Sequence, residues 1–95
     1  MGLVLQSQDS ALKHKLFLTK DDYETCHIQI DGTQEKLPAI ALGSNLYSFF
    51  KTIKDRDKAL DILGKLYDNG NDAAITQTPK AYAIWILEEE ASRLN

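Results

Sequence analysis

Hydrophobic positions along this chain follow two different periods, and the switch between them divides it. In "YETCHIQI", Cys26, Ile28 and Ile30 alternate with Thr25, His27 and Gln29, the period-two mark of a strand buried on one side. The preceding "KLFLTK" is a shorter strand candidate, and "KLPAIAL" returns as another after an Asp31-Gly32 turn. Pro38 pushes that returning strand towards a sheet edge. Two registers are open. A two-residue turn sets Ile28 opposite Glu35, and a longer loop sets Ile30 opposite Leu37.

The second period appears in "DRDKALDILGKLYDNG". Wound at about 100° per residue, Ala59, Leu60, Ile62, Leu63, Leu66 and Tyr67 occupy about 160° of the wheel, with acids and lysines on the remainder. Asp55 stands where an N-cap belongs and Gly70 where a left-handed residue ends a helix. The pattern predicts a helix over about 55–69, packed on one face. Leu46, Phe49, Phe50 and Ile53 also have helical spacing, but their stripe is centred roughly 90° away on the same wheel. One straight helix cannot bury both stripes, so residues 46–53 read as a separate element, a strand or a short helix. Their aromatic and β-branched content favours a strand.

"ITQTPKAYAIWILEEE" carries signals for both structures. Thr78-Pro79 resembles a helix cap, yet Ala81 to Leu87 are all apolar and a lone surface helix would expose some of them. A hairpin turning at Pro79-Lys80 pairs Gln77 with Tyr82, Ile75 with Ile84 and Ala74 with Trp85. One face then collects Ile75, Tyr82, Ile84 and Ile86, the other Ala74, Thr76, Ala83, Trp85 and Leu87. The hairpin, spanning about 73–87, is the reading adopted here. "EEEASRLN" becomes a short terminal helix or a loose tail.

These elements predict an α+β fold. A small antiparallel or mixed sheet carries one main amphipathic helix on one face and ends in a β-hairpin. With 95 residues there is one small domain, 1–95, with 1–13 as a frayed arm or edge strand and Leu3-Val4-Leu5 as a cover for Trp85. The order strand, helix, strand, strand over about 45 C-terminal residues is similar to half of a small ferredoxin-like or SPOR-type domain, a resemblance that carries no function.

Net charge is −3, and neither half of the chain is basic, which counts against a nucleic-acid partner. The lone Cys26 gives no intramolecular disulfide. The opening "MGLVLQSQDS" has no basic leader and no stretch reaches membrane-spanning length, so a cytoplasmic location and no membrane partner are expected. Cys26 and His27, adjacent on a strand, point to opposite faces and cannot share a substrate or a metal. A catalytic Cys–His couple would need His14 brought in by the fold. Neither C-x-x-C nor H-x-x-x-H spacing occurs, "DNGND" lacks the spacing of a calcium loop, and no glycine-rich phosphate loop is present. No catalytic residue, metal or cofactor is expected.

The aromatic residues remain. Trp85, Tyr82, Tyr47 and Phe49, with Lys80 beside them, are the candidate binding residues. The expected function is a non-catalytic protein-interaction or regulatory module that binds a protein partner, or itself as a homodimer, through a sheet face or edge. The alternative is a small nucleic-acid-binding domain stacking bases on the same aromatics. A small enzyme ranks third.

Overall fold

The computed structural model describes residues 15–94. The expectations for 1–13, His14 and the Leu3-Val4-Leu5 cover lie outside them. Six strands form one sheet: β1 (Glu24–Ile30), β2 (Lys36–Leu42), β3 (Asn45–Ile53), β4 (Ala73–Gln77), β5 (Tyr82–Leu87) and β6 (Ala91–Arg93). The helix α1 (Arg56–Asp68) lies between β3 and β4 in sequence. Strand order is β4-β5-β3-β2-β1-β6, with every pairing antiparallel. β3 and β4 both oppose β5, so β3-α1-β4 is a split βαβ unit with β5 inserted.

Local chemistry sets each boundary. The Asp55 carboxylate accepts the Asp57 and Lys58 amides and opens α1, and Gly70 at φ +85° ends it. The predicted hairpin forms in the predicted register, Gln77 opposite Tyr82, Ile75 opposite Ile84 and Ala74 opposite Trp85. Its turn lacks glycine, and Thr78 compensates: its Oγ1 accepts the Lys80 and Ala81 amides at 3.3 and 3.2 Å. Residues 46–53 are strand, within β3.

The structure corrects four expectations. The β1–β2 register is neither alternative: Ile28 faces Leu37 and Gln29 faces Lys36. Pro38 does not place β2 at the sheet edge, because β2 lies between β1 and β3. "KLFLTK" is no full strand; Leu18 alone bridges Thr76, in parallel, and Leu18 N–H donates to the Ile75 carbonyl at the outer edge of β4. The C-terminal residues are neither helix nor tail, since Ala91–Arg93 pair with β1.

That last pairing forces the sheet to roll. Leu87 faces Tyr47 on β3, while Ala91 faces Ile30 on β1. In a flat sheet, β5 and the β6 position are four strand spacings apart, about 19 Å. Four residues of extended chain span only about 14 Å. The sheet therefore curls until the 82–93 segment, bent at Glu88–Glu90, closes against both β3 and β1. Glu88 N–H still donates to Leu46, and Asp31 N–H to Glu90.

The concave side holds α1 and most of the core. Ala59 and Leu63 of α1 bury against Ala73, Ile75 and Ile84, and Cys26, Ile28, Ala39 and Ala41 continue the layer. On the outer side Ile40, Tyr47 and Ala74 are covered by Leu18 and Tyr23 from the segment before β1, together with Trp85 and Leu87.

Candidate functional site

The five candidate binding residues separate. Register puts Phe49, Trp85 and Tyr47 on the outer face. Tyr47 is 2% exposed and offers no contact surface. Tyr82 lies on the opposite, concave face, half-buried, its ring edge-on to Phe17 at 5.8 Å. Lys80 is exposed in the hairpin turn. Phe49 and Trp85 alone stay together, rings edge-to-face at 5.4 Å, with the indole Nε1–H donating to Thr76 Oγ1 at 2.9 Å.

Phe50, one of the aromatics the sequence offers for such a face, is not among the five candidates. Phe49 opposes Trp85 and Lys51 opposes Ile84, so Phe50 is the extra residue of a β-bulge. Phe49 and Phe50 are 44% and 45% exposed, two adjacent large apolar side chains open to solvent. A signal existed: adjacent strand residues point to opposite faces, so two consecutive phenylalanines cannot both enter one core. Beside them an outer-face cleft of about 300 Å³ is lined by Thr25, His27, Pro38 and Trp85.

This half of β3 also has an open flank. β3 pairs with β5 along Tyr47–Ile53, but with β2 only along Asn45–Ser48. β2 continues beside β1 to Lys36. The two strands part where Pro38, with no amide to donate, meets the bulge at Phe50. Among the described residues nothing pairs with Phe49–Ile53 on that side. The segments bordering the gap, 36–38 and 49–53, contain Lys36 and Lys51 and no acid.

Elsewhere the chemistry is structural. Lys15 bridges Asp72 and lies 5.7 Å from the Tyr67 ring, tying the N-terminal segment to the α1–β4 loop. Burial of the ammonium works to lower the Lys15 pKa, but Asp72 and Tyr67 together hold it above its ordinary value. Burial, then Asp72, raises Tyr47; burial, again with Asp72, raises Tyr67, though Lys15 opposes both shifts. Each group is thereby held in its ordinary neutral-pH form, the reverse of what a base or nucleophile requires. Cys26 is buried on the concave face and His27 exposed on the outer one. No group of three potential metal ligands occurs among the described residues. A larger cleft, about 610 Å³, lies between Thr19, Lys20 and Tyr23 and the hairpin tip at Gln77–Pro79. No helix among the described residues is long and apolar enough to cross a membrane. Comparison with protein families, curated proteins and solved structures finds no match to this chain.

Proposed function

We propose that this chain is a non-catalytic interaction module that binds a protein partner through the outer face around Phe49, Phe50 and Trp85. The observation that carries the reading is the pair of exposed phenylalanines at 44% and 45%, beside the half-buried indole of Trp85. Isolated exposed apolar residues need no explanation, whereas adjacent aromatic rings beside a cleft form the kind of patch that partners cover.

The test is a photoreactive benzoylphenylalanine in place of Phe50, irradiated in extract of the cells that make the protein, with the same residue at Lys65 on α1 as control. One polypeptide adduct from position 50, competed away by excess unmodified protein but not by the F49D/F50D variant, is the expected result. Equal labelling from position 65, or no competition, overturns the reading.

A further inference from the structure

We infer that the partner adds an extended segment to β3 as a new strand, and that this segment alternates apolar with acidic residues. The inference rests on the docking reading above and names what the site takes. Three observations converge. Beyond the bulge at Phe50, Lys51–Ile53 resume the ladder to β5 on one flank, so they hold strand conformation with their other flank unpaired among the described residues. A row of strand amides and carbonyls is satisfied best by another strand, which is how edge-binding domains take extended peptides. The apolar side chains beside that row, Phe49 and Phe50, supply contact area, and Lys36 and Lys51 supply the only charges on the bordering segments.

The lysines decide among occupants. A second copy pairing along the same edge about a two-fold axis, at full overlap of 49–53, sets Lys51 directly against its own image, and like charges opposite one another destabilise a strand pair. The lysine guards this open flank against self-association, as natural edges are guarded. An acidic strand turns the same lysine from repulsion to attraction. Single-stranded nucleic acid meets the aromatics and lysines equally well but leaves the backbone row unfilled, and it approaches a chain of net charge −3.

The experiment uses two synthetic seven-residue peptides, valine alternating with glutamate in one and with lysine in the other, and a ten-nucleotide oligothymidylate. Binding and amide hydrogen exchange are followed residue by residue in the isotope-labelled chain. The glutamate peptide is expected to bind about fivefold or more tighter than the lysine peptide and to slow exchange within 49–53, and Lys51→Glu is expected to reverse the preference. Binding that moves the Phe49 and Trp85 signals but leaves 49–53 exchanging as before overturns strand addition while the docking reading stands. The absence of a preference, of its reversal, or of binding by either peptide overturns the inference, with the cross-link result then judging the docking reading separately. Oligothymidylate binding tighter than either peptide overturns both.

Discussion

Phe17 carries a backbone conformation that a phenylalanine adopts only under compulsion, and its replacement gives an inverted order of stabilities. Its φ is +57°, in the left-handed region where a Cβ costs about 1–2 kcal/mol. What holds it there is on both sides of the ring. Tyr82 meets it edge-on at 5.8 Å, worth about 1 kcal/mol, and the Arg56 guanidinium lies 4.4 Å from its centroid, worth about 0.5–1 kcal/mol at a site this open. Partial burial of the ring adds about another 1 kcal/mol. Contacts of about 3 kcal/mol thus outweigh a strain of about half that. Phe17→Gly and Phe17→Ala both lose the ring, but only glycine relieves the strain. Glycine's looser unfolded chain takes back about 0.4–1 kcal/mol. The glycine variant is therefore expected to be the more stable of the two by about 0.5 kcal/mol, the reverse of the usual preference for alanine. Urea unfolding followed by far-ultraviolet circular dichroism and Trp85 fluorescence measures it, with both midpoints below that of the parent and the alanine midpoint the lower. An alanine variant as stable as the glycine one would show that residue 17 is not left-handed.

Other expectations follow from the same structure. Ile84, fully buried between α1 and β4, is expected to cost about 2–5 kcal/mol when cut to alanine, a large share of the roughly 5–15 kcal/mol that holds a domain folded; a loss below 1 kcal/mol in the same unfolding assay would place it outside the core. Asp55→Ala, which orphans the first amides of α1, is expected to cost about 1 kcal/mol, and Asp55→Ser to restore most of it. Lys15, Tyr47 and Tyr67 all have folded pKa values raised above their ordinary 10.5, 10.0 and 10.0, so each contributes stability that is whole below about pH 10 and is lost as pH rises through the folded value. In an alkaline titration, Tyr47 and Tyr67 are expected to ionise only as circular dichroism reports unfolding; complete tyrosinate absorbance from a chain still folded contradicts the assignment.

How far the sequence could be read depended on whether the deciding contact was local. The helix was legible because its stripe, cap and stop signal all lie within the residues from Asp55 to Gly70. The hairpin was legible despite a turn without glycine, because only one register sorts Ile75, Ile84 and Trp85 onto coherent faces, and Thr78 holds the turn from within it. The β1–β2 register failed for want of such a constraint: its five-residue loop leaves several pairings equally well patterned, and contacts with β3 and β6 choose among them. Of the candidate binding residues, Tyr47 looked available only because nothing in its neighbourhood announces that Leu18 and Tyr23 fold back over it. Tyr82 goes to the other face by the hairpin's own alternation, which sets it beside Ile84 and opposite in direction to Trp85.

The rolled sheet was the least legible feature, and its cause explains why the candidate site exists. Three consecutive acids, Glu88–Glu90, open a segment whose sequence suits a terminal helix or a loose tail, yet they form the bend by which one strand leaves β3 and joins β1. The Glu88 carboxylate accepts the Ser48 hydroxyl at 2.6 Å on the concave side, and the Arg93 to Glu24 pair at 3.0 Å then holds the returning strand to β1. Both contacts join residues far apart in sequence, so no window of the chain contains them. Closing the roll on this side ties β1, β2 and the first half of β3 into one curved surface. The second half of β3 follows β5 and α1 instead, because its bulge at Phe50 turns it out of the curve. The gap between Lys36–Pro38 and Phe49–Ile53 is where these two allegiances diverge. Deletion of Phe50 removes the bulge and makes Phe49 and Lys51 consecutive residues facing Trp85 and Ile84, so Lys51, Thr52 and Ile53 are expected to keep their faces, with Ile53 still in the α1 core, at little cost beyond the loss of one exposed ring. A deletion variant far less stable than the parent in urea would mean that the bulge itself, rather than the ladder on either side of it, fixes β3 against β5 and α1.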